Sequence, residues 1–470
     1  MLIKELRQGV KSKAFYFAFL LMQGLMVFCV LMYVAALQSS NDAAAFNGLF
    51  WSCLGATLIL ITPIRAMGAL QQEIKGNTLE LIFLTQLSAW RIVAGKWLAL
   101  FSQSLLLTAG TLPYLLLRYF LGGIDIAQDL SILFWLLMAS AALTALGVCF
   151  STFRSTLFRV FVIIVALLSP NLIAGVFLVS RIGGGGSSFG MITHPVQATL
   201  LFATYIALGV ILCLIWGASR IAPAAENHAR WKRLITLGMI LMLPLVVIVT
   251  GENSTIMAGL FAIVPMCCDA LGEQPRLFPS VYRAFARRGA IGRIAGLFFY
   301  PGWPTAVFFT LLICGTFAGI FFALDTTASD HARGIVAALP GALLFPLALI
   351  LLIRPKLKSI MPAYLGIQIT CIILTLVALS LYAAFSKTHN EHLLMPLSIL
   401  PTCAFILHIS QQDDASWMAI TGVITLASII VLFIRARPVL AEMRKLERAS
   451  VAETPPEVTD AETADRKNFQ

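Results

Sequence analysis

Charge is what this sequence has least of. Only 12% of its 470 residues are Asp, Glu, Lys or Arg, while 59% are hydrophobic and the mean hydropathy is +0.90. A soluble domain carries charge on about a quarter of its residues to clothe its surface. A solvated globule is therefore excluded, and a polytopic membrane protein is what remains. Acids are scarcer than bases, 22 against 33 Lys and Arg, which leaves a formal net charge of +11. In a soluble chain that excess would suggest nucleic acid; in a membrane chain it reports which side each cation faces, so no nucleic-acid partner is expected. The nine cysteines form no CxxC pair and all fall in apolar runs. They read as small hydrophobes, with neither a disulfide framework nor a metal site implied. No GxxxxGK[ST] loop occurs, so the chain does not bind ATP through a P-loop.

What is abundant is apolar sequence in long runs. Crossing the bilayer takes about 20 mostly apolar residues, because only a helix satisfies its own backbone there. On that ruler the first spans are Ala14 to Leu37, Gly48 to Ile64, Val93 to Tyr119, Leu130 to Phe153, Val160 to Val179 and Ala198 to Ala218. After a polar break come Leu234 to Thr250, Ser254 to Ala270, Trp303 to Leu324, Ile335 to Ile353, Met361 to Phe385 and Met418 to Ile434. The fold class predicted is all-α, a polytopic protein of about twelve spans in two six-helix halves. A further apolar run, Leu393 to Ile409, holds Pro396 and Pro401 and reads as a re-entrant piece. With that count both termini share a side, and all of the 33 Lys and Arg lie there except Arg118, Arg181, Arg333 and Lys387. The excess belongs in the cytoplasm, so both termini are placed inside, in a multi-pass protein of the cytoplasmic (inner) membrane.

The domain reading follows the polar breaks. Residues 1–13 mix Lys4, Arg7, Lys11 and Lys13 with Leu2, Ile3, Leu6 and Val10, the pattern of an interfacial amphipathic helix or of a signal-anchor flank. No small-residue cleavage site follows, so the segment is expected to stay. Residues 14–219 form the first transmembrane half, 220–233 a cytoplasmic linker (RIAPAAENHARWKR), and 234–435 the second half with re-entrant 393–409. Residues 436–470 begin as a basic amphipathic helix and end in a disordered, acidic tail. Each half has its longest internal loop between its second and third spans, Met67 to Ile92 and Leu271 to Gly302, and Glu73 and Glu273 open comparable stretches. The topology repeats; residue identity does not.

The first of these loops carries the most information. Gly76 breaks one helix, Asn77 can cap another, and Glu80 stands where it can return a bond to the cap. Leu79, Ile82 and Phe83 then line one side of a helix of about two turns. Ser88 caps the next helix, with Trp90 and Arg91 at the interface and Lys96 near the start of the third span. By spacing alone this could be a surface helix that merely closes a loop. The run Glu73-Ile74-Lys75-Gly76-Asn77-Thr78-Leu79-Glu80-Leu81-Ile82, followed by Leu87-Ser88-Ala89-Trp90-Arg91-Ile92-Val93-Ala94-Gly95-Lys96, resembles the membrane subunits of ABC-2 type (type V) ABC exporters.

In that family an acidic-x-x-Gly-Thr-Leu-Glu stretch, a Leu-Ser segment and a Gly-Lys entry to the third span form the coupling helix that seats in a groove of the ATPase. The resemblance implies an ATPase-coupling helix over 77–84, with Glu73, Gly76, Asn77, Thr78, Leu79, Glu80, Ile82 and Phe83 as coupling residues. Asn77 is an insertion relative to that pattern, and Gln86 stands where Pro is frequent. The implied partner is an ABC ATPase, in two copies, carrying the ATP and Mg; this chain would hold no cofactor and catalyse nothing itself. A homodimer of this chain is the other assembly left open.

The second loop departs from that pattern. Arg283, Arg287 and Arg288 fall on a predicted helix with Arg293 beyond it, positions suited to a second coupling element, to membrane lipid headgroups, or to ordinary positive-inside charge. Between the ends of the spans there is almost no ionisable residue, with Lys96 and Asp269 near cytoplasmic ends. Carriers driven by protons or sodium keep buried carboxylates or His as relays, so the energy is expected from an external ATPase moving a lipid-like or hydrophobic substrate outward. The alternative is a major-facilitator-type secondary carrier of similar span count, favoured by Arg287-Arg288-Gly289 and Gly292-Arg293 between spans eight and nine. An intramembrane glycosyltransferase using Asp413 and Asp414 is a third reading. The outer His389, Glu391 and His392, with Asp330 and His331, read as solvated loop residues ahead of a metal site.

Overall fold

The computed structural model describes residues 6–7, 9, 11–38, 43–76, 87–121, 126–153, 195–223, 228–250, 252–275, 278–324, 330–354, 360–385, 400–409 and 415–452. Among them all regular structure is helical, and nine helices are long and apolar enough to cross a membrane. This is an all-α, multi-pass membrane protein. The nine correspond to nine of the segments read from the sequence. The expected span Val160 to Val179 lies outside the described residues, as do the glycine-rich run 183–186, residues 389–399 and Asp413 and Asp414. The chain divides into two compact units, residues 1–188 with 199–222, and 189–198 with 223–470.

In the first unit α1 (Lys13–Gln38) starts at Ser12, whose hydroxyl accepts from Phe15 N–H at 3.2 Å. The second span is α2 (Ala43–Ala56), a π-helical turn over Thr57–Ile61, and α3 (Thr62–Ala66). The cause of that defect is Pro63: its ring cannot sit against the carbonyl four residues back. The helix widens, and Thr62 N–H bonds Thr57 O instead. A short α4 (Gln71–Lys75) precedes Gly76, and α5 (Ala89–Leu121) begins directly after Ser88. With α6 (Ile126–Ser151) and α7 (Pro195–Ile221) these complete the described helices of the unit. A Cβ at Gly147 would fall 2.7 Å from Pro63 O, so only glycine lets α6 lie this close to α3.

The second unit opens with α8 (Ala229–Leu241), so the latter part of the expected linker is helical. The segment expected as one span, Leu234 to Thr250, is broken at Met242 between α8 and α9 (Leu243–Thr250). Next comes α10 (Glu252–Leu271), containing Pro265. Two short helices, α11 (Pro279–Ala286) and α12 (Gly289–Phe299), fill the second internal loop ahead of α13 (Trp303–Leu324). Then follow α14 (Asp330–Ile353), α15 (Ile360–Phe385) and α16 (Pro401–Ile409). Within the run read as re-entrant, only α16 and the turn at Leu400 are described.

The last helix, α17 (Ala415–Ala452), has 38 residues. At 1.5 Å per residue it is about 55 Å long, well beyond the ~30 Å hydrocarbon thickness, so its basic end from Arg435 projects out of the bilayer. The sequence reading separated this basic helix from the last span; here the two are continuous.

Candidate functional site

The base of the first unit is where the sequence concentrates its signal. Glu73 stands on α4 and Lys96 about two turns into α5, each brought to this level by the helix that carries it. The Lys96 ammonium lies 2.7 Å from Glu73 Oε1, with side-chain exposures of 8% and 20%. Both residues were singled out separately in the sequence; the fold joins them into one buried clasp. Gly76 follows α4 in a turn. Asn77, Thr78, Leu79, Glu80, Ile82 and Phe83 lie outside the described residues. The clasp joins the two helices that flank those residues in sequence, Glu73 on the one before and Lys96 on the one after.

Above the clasp, three spans are tied by hydroxyls. Thr62 Oγ1 and Ser140 Oγ are 3.3 Å apart, and Ser140 Oγ donates to Ser104 Oγ at 3.2 Å, all three side chains being buried. Thr62 is on α3, Ser140 on α6 and Ser104 on α5, so spans two, three and four share one polar seam. Where no water is available, such hydroxyls bond each other across helices, at about 0.6 kcal/mol each. Trp97 Nε1–H adds a bond to Ala141 O at 3.1 Å. Sequence reasoning passed over these residues because Ser and Thr in an apolar helix usually bond their own backbone four residues back, as Thr108 does to Ser104 O at 2.9 Å.

At the opposite end of α5, Arg118 is 1% exposed and lies 3.9 Å from Asp129 Oδ2 on α6. Its guanidinium also lies 4.3 Å from the Phe50 ring centroid and 5.6 Å from that of Tyr33. The cation read at the outer end of the third span is thus buried among α1, α2 and α6.

The second unit holds a denser cluster. Lys232 Nζ lies 2.5 Å from Asp269 Oδ2 and 2.6 Å from Glu273 Oε1. Arg233 reaches Glu273 Oε2 at 3.5 Å, Phe298 O at 2.7 Å and Thr305 Oγ1 at 3.1 Å. Lys232, Arg233 and Asp269 are 4%, 2% and 2% exposed. The sequence placed both cations in a solvated linker and only Glu273 at a loop start. What brought them inside is α8, which begins at Ala229 and turns consecutive cations toward α10. Burial pulls the Lys232 ammonium down, but Asp269 and Glu273 outweigh it and hold its pKa above the ordinary 10.5.

The second internal loop closes onto the projecting end of α17. Val281 and Tyr282 of α11 form a small core with Tyr300 and Met443. The Tyr300 hydroxyl lies 3.0 Å from Glu447 Oε1 and 3.3 Å from Tyr282 O. Of the four arginines marked in the sequence, Arg283 is half-buried on α11, while Arg287, Arg288 and Arg293 are exposed at the start and along the outside of α12. Burial first, then the Glu447 carboxylate, pushes the Tyr282 phenol up to about 12 and the Tyr300 phenol further.

Among the described residues no three His, Cys, Asp or Glu side chains gather as a metal site would require. What the described residues hold is a set of interhelical ties and a buried charge cluster. No protein-family model, curated protein or solved structure matches this chain.

Proposed function

We propose that the chain is the membrane-spanning permease subunit of an ABC exporter, with about twelve spans and both termini cytoplasmic, moving a lipid-like or hydrophobic substrate outward. Its work comes from a separate ATPase that docks on residues 77–84; the nucleotide and Mg belong to that partner. One observation carries the reading: the helices before and after the segment resembling a coupling helix are joined by the Glu73–Lys96 pair. Force applied to the segment enters α5 through Lys96, and α5 shares the hydroxyl seam with α3 and α6. A push therefore moves three spans as a body. The π-helical turn at Thr57–Ile61 interrupts the second span just above and supplies a place where α3 can tilt against α2.

The test is purification from native membranes followed by ATPase assay in nanodiscs. A P-loop ATPase is expected to accompany the chain. Glu73→Gln leaves Lys96 buried beside a neutral amide and is expected to reduce stimulation of the partner's hydrolysis, as is Glu80→Ala, while Glu391→Ala is not. Equal effects from all three, or no nucleotide-hydrolysing partner, would remove the assignment.

A second reading is favoured by the Lys232, Asp269 and Glu273 cluster. A secondary carrier of the major-facilitator type needs buried carboxylates, and Asp269 is one. That reading requires a proton flux in nucleotide-free proteoliposomes that Asp269→Asn abolishes.

A further inference from the structure

The helix α12 cannot span a bilayer, yet it shows an apolar face to the outside. Its 11 residues reach about 16 Å, half the hydrocarbon thickness. Ile291 is 81% and Ile294 65% exposed, and Ala290 beside them is exposed too. The opposite side is closed: Gly292 and Gly296 are buried, and a Cβ at Gly292 would run into Phe285 O. Phe299 completes that side by stacking on Phe285 with centroids 6.2 Å apart and planes 6° from parallel. The isoleucines are therefore held outward by the tight packing behind them and have no way to turn in.

Cations frame this face. Arg287 and Arg288 stand at its start and Arg293 along its edge, all exposed. No Asp or Glu occurs from Gln274 to Leu324, so the stretch that carries them is purely cationic. A short helix with bulky apolar side chains outward, flanked by long cations, matches the interface between acyl chains and anionic headgroups. The isoleucines enter the acyl boundary and the arginines reach up to the phosphates.

We infer that α12 is an interfacial lipid-binding helix, taking anionic phospholipids of the leaflet at its own level through Arg287, Arg288 and Arg293 and anchoring through Ile291 and Ile294. This assigns three of the four arginines to lipid and not to a second ATPase. It is independent of the exporter reading, since a carrier would bind lipid here equally well.

The experiment uses the full chain, with native mass spectrometry to titrate phosphatidylglycerol against phosphatidylcholine. Each arginine near a charged surface contributes about 1 kcal/mol, so the triple variant Arg287→Gln, Arg288→Gln, Arg293→Gln is expected to bind phosphatidylglycerol at least tenfold more weakly, with smaller salt dependence. The triple Arg→Lys variant keeps charge and should keep most of the affinity. A fluorophore on Ile294→Cys should emit as in an apolar medium in phosphatidylglycerol nanodiscs. Unchanged lipid affinity in the Gln triple, equal losses in the Gln and Lys triples, water-like emission at position 294, or shielding of that position by a bound ATPase would each overturn the proposal.

Discussion

Asp269 is where a single atom change should be felt most. Its carboxylate is 2% exposed and lies 2.5 Å from Lys232, which also binds Glu273. Removing one partner of a buried pair costs about 3–5 kcal/mol, offset here in part by Glu273, which still faces Lys232, whereas replacing both with apolar groups of similar volume is often neutral. Asp269→Asn is therefore expected to lower the unfolding midpoint in detergent sharply, and the double variant Lys232→Met, Asp269→Leu to recover most of the loss. A double variant as unstable as the single one would show that the pair is not an isolated unit. The pH dependence has a definite sign. The folded-state pKa of Lys232 lies above 10.5, so its contribution is complete below that value and is lost only as pH rises through the folded value. Because that contribution is complete at neutral pH, stability should not vary with pH near neutrality on account of this group. The sequence shows these charges but not their pairing, because Lys232 and Asp269 are 37 positions apart and only the crossing of α8 on α10 joins them. Glu73 and Lys96 were legible as single signals for the opposite reason: both belong to one contiguous stretch.

At the level of elements, α11 depends on α17. Its buried residues Val281 and Tyr282 share one core with Tyr300 and Met443, and the Tyr300 hydroxyl holds Glu447, which is 8% exposed. A hydrogen bond to a charged group contributes about 1.5–3 kcal/mol. Tyr300→Phe should accordingly raise amide exchange in both α11 and residues 436–452, leaving α13 unaffected; faster exchange confined to α11 would contradict the docking. Alkali should act in the same direction. Tyr282 titrates at about 12 when buried, above its ordinary 10, so the folded form prefers the protonated phenol. That preference stabilises below pH 10 and is lost as pH rises through about 12. The helical character of both segments was legible from apolar spacing beside arginines. Their mutual docking was not, since it links residues 147 positions apart. The break at Met242 does not show in hydropathy, and its signal is Pro244, which lacks an amide hydrogen and clashes with the carbonyl of Ile240, so the helix restarts at Leu243.

The two units spend their internal loops differently, and that difference bears on assembly. In the first unit Glu73 and Lys96 join the helices before and after the residues that resemble a coupling helix. In the second unit the corresponding loop folds α11 onto the chain's own α17, with Val281 1%, Tyr282 0% and Ala286 5% exposed, and α12 turns isoleucines outward. An ATPase groove takes an amphipathic helix by its apolar face, and the apolar face of α11 is already covered. If the exporter reading holds, each chain offers one docking helix. Two ATPases acting together then require two copies of this chain, so native mass spectrometry of the complex should give two chains with two ATPases. One chain carrying two ATPases would instead mean that α11 leaves α17 on assembly. The same Tyr300→Phe variant separates these cases: weakening the α11–α17 contact should promote the second ATPase if α11 is a covered docking element, and should leave the stoichiometry unchanged if only residues 77–84 dock.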